Sequence, residues 1–174
     1  MSQPAPPLEK FQILIRPATA ADLDAINEIY NHYVAGSTCT YQEEPESREN
    51  RQRWFAHHES ARHPVIVAEL GGKVVGWASL SRFHTRTAYR YTVENSIYVH
   101  HEHHRRGIGS QLLQELLALA RRAGHRAILA GIDSDQPASI GLHARFGFQE
   151  VGHLRQVGCK FGRWLDVIFM ELLL

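Results

Sequence analysis

The sequence predicts one α/β domain built on a mixed, mostly antiparallel β-sheet. Its 174 residues are enough to bury one hydrophobic core. Their apolar pattern gives the element order βααβββαβαββ. Residues 91–132 form a strand–helix–strand unit, which is typical of a parallel pair, and the other strands are expected to be largely antiparallel. We expect residues 1–10 to be a disordered N-terminal tail and residues 11–174 to be the single domain.

The first elements are marked by Pro17 and a helix-capping pattern. Residues 11–16 form an apolar run that ends at Pro17, which is typical of a short strand. Thr19 and Asp22 have the spacing of a capping box at a helix start. Apolar residues then recur at helical spacing, so the first helix is expected to extend to about Val34.

A second helix and a β-hairpin complete the first half. After a loop, we expect the second helix over residues 47–58. Two apolar runs over residues 65–70 and 73–79 follow, separated by Gly71 and Gly72. Because glycine readily adopts positive φ angles, this pair favours a tight hairpin turn.

The second half contains the parallel unit and two final strands. Residues 91–99 alternate as a strand after a polar loop over 82–90. A long amphipathic helix then follows Gly107 and ends before Gly124, as helix C-termini prefer. The remaining predictions are a strand over 127–132, a short helix over 138–146, and strands near 148–156 and 164–173.

Charge and composition exclude several classes of protein. Lys and Arg total 19 against 18 Asp and Glu, so a net charge of +1 argues against a protein that coats nucleic acid. No apolar stretch approaches the roughly 18 residues of a membrane span, and the first seven residues do not form a signal peptide. Cys39 and Cys159 form no CxxC pair, which argues against a disulfide framework or zinc site. We therefore expect a cytoplasmic protein without nucleic-acid or membrane partners.

The segment His104-Arg-Arg-Gly-Ile-Gly109, which we term the cradle, is the most informative motif. It lies where a strand leads into a long helix, whose free N–H groups and dipole favour an anion. Gly107 and Gly109 lack Cβ atoms and let the backbone approach a ligand, while Arg105 and Arg106 add positive charge. These features suit a pyrophosphate. The alternative is a plain helix start with glycines for packing.

The cradle resembles the Gln/Arg-x-x-Gly-x-Gly/Ala motif of the GNAT acetyltransferase superfamily, with His104 in the Gln/Arg place. Residues 136–148 resemble a second motif of that family, with Gln136 in the place of Asn. Residues 88–99 and 158–166 narrow the resemblance to the phosphinothricin and methionine sulfoximine acetyltransferase group. The resemblance covers residues 12–172.

This resemblance implies a GNAT fold, in which a twisted sheet of about seven strands has a splayed central parallel pair and helices on both faces. It implies direct acetyl transfer from acetyl-CoA, in a ternary complex, to the amine of a small amino-acid-like acceptor, without a metal. The group usually forms homodimers. The residues implied in acetyl-CoA binding are Ile97, Tyr98, Val99, Arg105, Arg106, Gly107, Ile108, Gly109, Ser110, Gln136, Ser139 and Arg145.

Three residues are candidates for the chemistry. Glu94 interrupts an apolar strand, so it faces either solvent or a cleft; the resemblance identifies it with the proposed general base. The resemblance gives the Val99 backbone N–H the role of oxyanion donor. His143 stands where many relatives carry an acid that protonates the leaving thiolate, and the alternative is a histidine packed beneath the cradle.

The acceptor site is implied by a second set of residues. Related enzymes carry arginine at the places of His84 and Arg86, which suits bidentate binding of a carboxylate or phosphinate. The alternative for this segment is a solvated basic loop. The full set of candidates is Tyr41, His84, Arg86, Glu94, Asn95 and Lys160, with Lys160 expected near a subunit boundary.

Other interpretations remain open from the sequence. The acceptor could instead be a polyamine, a protein N-terminus or an antibiotic amine. A non-catalytic acetyl-CoA-binding module is a further alternative, which the presence of Glu94 disfavours. The histidines at 100, 101, 103 and 104 suggest at most adventitious zinc or nickel binding, and we expect no functional metal.

Overall fold

One seven-stranded sheet organises the computed structural model, which describes residues 12–58 and 61–174. The predicted tail therefore lies outside the described residues. The strand order across the sheet is β1-β2-β3-β4-β5-β7-β6. The strands are β1 Leu14–Pro17, β2 Val65–Leu70, β3 Lys73–Arg82, β4 Thr92–Val99, β5 Ala127–Asp133, β6 Gln149–Lys160 and β7 Arg163–Leu173.

Four α-helices connect these strands in the predicted order. They are α1 Leu23–Gly36, α2 Arg48–Ala56, α3 Ile108–Arg122 and α4 Pro137–Arg145. The Thr19 backbone N–H donates to the Asp22 carboxylate at 2.8 Å before α1, and the Ser47 hydroxyl accepts from the Asn50 N–H at 3.1 Å to start α2. Strand β6 is longer than predicted, because it continues through residues 158–160 to a tight turn before β7.

Strands β4 and β5 form the predicted parallel pair, and they pair over only a short length. Their ladder runs from Thr92 opposite Ala127 to Glu94 opposite Leu129. Both strands continue beyond it, to Val99 and Asp133. We term the resulting gap the splay. It opens toward the N-terminus of α3, so it leads directly to the cradle.

Two hydrophobic clusters cover the two faces of the sheet, as the fold class predicts. Leu112, Leu113 and Leu116 of α3 are fully buried on one face. Ile26 of α1 and Trp77 of β3 are buried on the other. Because side chains alternate along a strand, successive residues of β4 enter opposite clusters. In the described part of the chain, no helix is long and apolar enough to cross a membrane.

Candidate active site

The two cradle glycines have different roles at the start of α3. Gly107 precedes the helix with φ of +78°, a left-handed conformation that glycine adopts without strain, and a Cβ there would meet nothing within 4 Å. A Cβ on Gly109 would approach the Leu142 side chain to 3.3 Å, so this glycine lets α3 and α4 pack closely. The first turn of a 15-residue helix is thus open to an anion beside Arg105 and Arg106, which are exposed.

The backbone of β4 adds a row of polar groups that no neighbouring strand pairs. The His100 N–H donates to the Val75 carbonyl at 2.9 Å, which fixes the alternation of hydrogen-bonded pairs between β3 and β4. Ile97 and Val99 therefore turn their N–H and C=O groups away from β3 and toward the splay. Within the described chain the β5 ladder ends before them. An extended ligand containing amides can pair with these groups as a strand would.

Tyr33 of α1 occupies the end of this row and was not among the predicted site residues. Its hydroxyl donates to the Val99 carbonyl at 2.5 Å. The Nε2 atom of His104 lies 2.6 Å from the same hydroxyl and 3.2 Å from the Val99 carbonyl. Tyr33 fits the helical spacing of the apolar residues in α1, and that pattern carries no signal for a contact with the cradle.

Glu94 lies in a cleft, on the face of β4 that points away from the α3 cluster. Its carboxylate Oε1 would be 3.4 Å from a Cβ on Gly131, so the missing side chain there makes room for it. The side chain is half-buried, and burial raises its pKa. No described residue contributes a hydrogen bond or an ion pair to this carboxylate. Of the two alternatives left by the sequence, the structure therefore gives the cleft.

Gly131 joins Glu94 to a second group of side chains, which we term the acceptor side. A Cβ on Gly131 would also lie 3.5 Å from Phe169 and 3.8 Å from Val167, both on β7. Neither residue was predicted, since the alternation of β7 alone does not show which strand lies next to it. These apolar side chains and the Glu94 carboxylate form a wall that suits an amine with a short aliphatic chain.

Tyr41 is fixed at the acceptor side by a glycine. Its hydroxyl donates to the Asp166 carbonyl at 3.0 Å. Its ring lies so close to Gly158 of β6 that a Cβ there would approach ring carbons to 2.5 Å. Burial, with the nearby Asp133 and Asp166 carboxylates, raises the pKa of Tyr41 to about 12. The phenol is therefore protonated at neutral pH.

Lys160 supports the loop that carries Tyr41. Its side chain is buried, and its ammonium donates to the Ser37 carbonyl at 2.7 Å and to the Thr40 carbonyl at 2.8 Å. Burial lowers its pKa. With both carbonyls bound, the ammonium faces the loop, so the geometry favours loop support over the predicted direct contact with the acceptor.

Asn95 and His143 meet on the face opposite to Glu94. The Asn95 Nδ2 and His143 Nε2 atoms are 2.8 Å apart, and His143 Nδ1 lies 2.8 Å from the Ser139 carbonyl. Because a carbonyl only accepts, Nδ1 carries the hydrogen, and the Asn95 amide donates to Nε2. Both residues are buried, and burial lowers the pKa of His143.

This arrangement changes two expectations. Asn95 follows Glu94 directly, so strand alternation directs its side chain away from the acceptor side and the predicted substrate contact. His143 has both ring nitrogens engaged and a lowered pKa, which does not favour a proton donor. The geometry gives both residues a positioning role between β4 and α4.

The remaining predicted residues lie at three places around the splay. Tyr98, which was predicted to bind acetyl-CoA, pairs with Trp77 of β3 and stacks on its ring. Neither its backbone nor its side chain therefore faces the splay. In the loop before β4, His84 Nδ1 accepts from the Arg86 N–H at 3.1 Å, and both side chains are exposed. Ile108 and Ser110 lie in the first turn of α3, while Gln136, Ser139 and Arg145 lie on or next to α4.

The histidines before the cradle stack on one another. The rings of His32 and His101 lie 4.0 Å apart at 8°, and those of His100 and His101 lie 4.4 Å apart. Among residues 12–58 and 61–174, no three His, Cys, Asp or Glu side chains are arranged to hold a metal ion.

Comparison with known proteins decides the family. Residues 26–148 match the Acetyltransferase (GNAT) family. The chain belongs to the GNAT acetyltransferases. It is 43% identical, over 91% of this chain and 92% of the relative, to L-methionine sulfoximine/L-methionine sulfone acetyltransferase from Salmonella typhimurium.

Two solved GNAT structures are also similar. A phosphinothricin acetyltransferase from Sinorhizobium meliloti, solved with acetyl-CoA, has a TM-score of 0.90 and 40% identity, over 93% of this chain and 88% of that one. A ribosomal-protein-alanine N-acetyltransferase from Brucella melitensis has a TM-score of 0.90 and 43% identity, over 92% and 99%. These relatives confirm the predicted GNAT fold and its acyltransferase class.

Proposed function

We propose that this GNAT protein transfers the acetyl group of acetyl-CoA to the primary amine of a small amino-acid-like acceptor. The observation that carries the proposal is the placement of Glu94. Its half-buried carboxylate, without a partner among the described residues, lies on β4 three residues before Ile97, where the unpaired backbone of the splay begins. The relative that acts on methionine sulfoximine supports this acceptor class.

The residues present fit acetyl-CoA. The open turn at Gly107, the first N–H groups of α3 and the side chains of Arg105 and Arg106 would hold its pyrophosphate. The N–H and C=O groups of Ile97 and the N–H of Val99, which no strand pairs, would hold the amide-containing arm. When bound, acetyl-CoA supplies an acetyl group activated as a thioester. A GNAT neighbour solved with acetyl-CoA supports this assignment.

Glu94 takes the proton of the acceptor ammonium, directly or through one water. An amine attacks only after losing that proton, and a carboxylate with a raised pKa is a better base than an exposed one. The thiol of Cys39 is a poor alternative nucleophile, because burial raises its pKa and keeps it protonated. This favours the predicted direct transfer over an acetyl-enzyme.

The Ile97 N–H suits the role of oxyanion donor better than the predicted Val99 N–H. Val99 lies five residues beyond Glu94, about 16 Å along an extended strand. Ile97 lies three residues beyond it, at about 10 Å, and turns its N–H toward the same gap. A base and a donor that serve one carbonyl must both lie within hydrogen-bond reach of the reacting atoms, so the shorter spacing fits.

Acceptor recognition combines an apolar wall with a basic loop. Phe169 and Tyr41 would contact the acceptor side chain, and Arg86 with His84 would bind its carboxylate or oxygen-rich end. A protein N-terminus is the second candidate acceptor, because the Brucella melitensis neighbour is named for ribosomal-protein alanine.

We also propose a cytoplasmic homodimer. Cys39 and Cys159 are free thiols, as is usual for a reducing compartment. Strand β6 is at the edge of the sheet, and a second copy could cover five of the apolar side chains that its hairpin with β7 exposes. They are Val151, Leu154, Val157, Phe161 and Trp164.

An acceptor screen tests the proposed function. Purified protein and acetyl-CoA are incubated with methionine sulfoximine, methionine sulfone, phosphinothricin, spermidine or a peptide with N-terminal alanine, and the free thiol is measured. We expect turnover with at least one of the three amino-acid analogues and little with spermidine. Turnover with the peptide alone would favour the second candidate, and turnover with none would contradict an acetyltransferase of this acceptor class.

A further inference from the structure

Tyr33 connects helix α1 to the only stretch of β4 backbone that the described chain leaves open toward the cradle. Its hydroxyl donates to the Val99 carbonyl, and the hydroxyl oxygen in turn lies 2.6 Å from His104 Nε2. Since the hydroxyl hydrogen is used on the carbonyl, the Nε2–H of His104 is the donor to the tyrosine oxygen. The two rings lie nearly parallel, at 9°, which restricts both side chains.

Three features suit Tyr33 to holding the Val99 carbonyl in place. Burial raises its pKa to about 12, so the phenol remains a donor at neutral pH. The Val99 carbonyl has two lone pairs, and Tyr33 engages it without exhausting its capacity. His104, which replaces the Gln or Arg of the family motif, has its Nε2 directed to Tyr33 and Val99.

We infer that Tyr33, held by His104, is a positioning residue of the acetyl-CoA site, because it fixes the Val99 peptide group where the splay meets the cradle. The inference rests on the proposed function and adds to it a residue of α1 and a role for His104. Without the tyrosine hydroxyl, the Val99 carbonyl loses its hydrogen bond to α1. The row of unpaired amides and the helix N-terminus would then no longer be held in one arrangement.

The test removes a single oxygen. Tyr33→Phe keeps the ring and its packing but deletes the hydroxyl. We expect the dissociation constant of CoA, measured by calorimetric titration, and the KM for acetyl-CoA to rise about three- to tenfold. This factor corresponds to the usual net contribution of one such hydrogen bond. The kcat and the KM for the acceptor should change little, because Glu94 lies five residues before Val99, about 16 Å away along the strand.

Tyr30→Phe is the matched control on the same helix. The Tyr30 hydroxyl bonds the Thr40 hydroxyl at 2.9 Å, away from the cradle. This variant removes the same atom from the same residue type, and we expect CoA affinity to stay at the wild-type value. Equal losses in both variants would show a general effect on α1 and would overturn the positioning role of Tyr33.

His104 variants test the second half of the inference. His104→Ala should weaken CoA binding by a similar factor, and His104→Gln should restore it, because an amide N–H can also donate to the tyrosine oxygen. The double variant Tyr33→Phe, His104→Ala should lose no more than the larger single loss, since both side chains act through one carbonyl. Fully additive losses would contradict a shared action.

The outcomes separate this inference from the function on which it rests. Wild-type protein that binds CoA while Tyr33→Phe binds it equally well or more tightly would overturn the role of Tyr33 and leave the proposed function intact. Wild-type protein that fails to bind CoA would overturn the proposed function itself. If Tyr33→Phe does not fold, His104→Ala and its rescue by Gln still report on the same hydrogen-bonded chain.

Discussion

The cradle and the acceptor side solve two recognition problems in different ways. The cradle and the end of β4 that precedes it present backbone groups that are close in sequence, with Gly107 keeping the helix start open. The acceptor side instead gathers side chains from separate elements, such as Glu94 on β4, Tyr41 before α2 and Phe169 on β7. Backbone recognition suits a constant ligand, whereas side chains can be exchanged to change the acceptor. The two halves should therefore respond separately to substitution.

Substitution of Glu94 is expected to give the largest difference between the effect on catalysis and the effect on CoA binding. Glu94→Gln keeps the size of the side chain but removes the base, so kcat should fall by about 10²- to 10⁴-fold. CoA affinity should stay the same, because the carboxylate faces the acceptor side rather than the splay. Steady-state kinetics and calorimetric titration check the two halves of this prediction. Retained kcat would remove Glu94 as the base.

We also expect the difference in stability between Glu94→Gln and wild type to depend on pH. Burial raises the pKa of Glu94 in the folded protein, so the folded state binds this proton more tightly than the unfolded state. The stability from this group is present below the unfolded pKa and is lost as pH rises through the folded pKa. Glu94→Gln should therefore melt at a higher temperature than wild type at about pH 7.5, with the difference vanishing near about pH 4. A lower melting temperature of the variant at about pH 7.5 would contradict the burial of a charged carboxylate.

A substitution at Gly158 is expected to affect only the acceptor side. Gly158→Ala places a Cβ against the Tyr41 ring, which must shift, and we expect the acceptor KM to rise about tenfold, with CoA affinity unchanged. Gly152→Ala is the matched control in the same strand, since a Cβ there meets nothing within 4 Å. Acceptor kinetics for both variants measure the effect, and equal values would show that Tyr41 does not shape the pocket.

The smallest effect is expected in the cradle. Gly107→Ala must hold alanine at φ of +78°, at a cost of about 1 kcal/mol, and its methyl group enters the open space before α3. CoA should bind about three- to tenfold more weakly. Gly124→Ala, at φ of +74° beyond the end of α3 and with similar open space, should lose the same stability but no CoA affinity. A loss of affinity in both would indicate strain rather than ligand contact.

The sequence predicted the cradle better than the acceptor side for a physical reason. The cradle is a local motif, so Gly107 at a strand–helix junction already predicts where α3 begins and that its first turn is open. The alternation of β4 likewise predicted the face of Val93, Ile97 and Val99, which pack on the α3 cluster. The parallel pair and the element order followed from the same patterns.

The contacts that the sequence did not show are all long-range. Tyr41 meets Gly158, and Tyr33 meets Val99, only because the sheet order brings distant segments together. Lys160 was predicted to contact the acceptor, yet two carbonyls of a distant loop bind it in a buried position. Asn95 was predicted to contact the acceptor together with Glu94, whereas strand alternation directs the two side chains to opposite faces of β4.

Calorimetric titration of the purified protein with CoA tests the central claim most directly, with Gly107→Ala and Glu94→Gln titrated in parallel. The structure predicts saturable binding of one CoA per chain, weakened in Gly107→Ala and unchanged in Glu94→Gln. Absence of saturable binding to the wild type, or equal binding by wild type and Gly107→Ala, would contradict a cradle that holds the cofactor through its backbone.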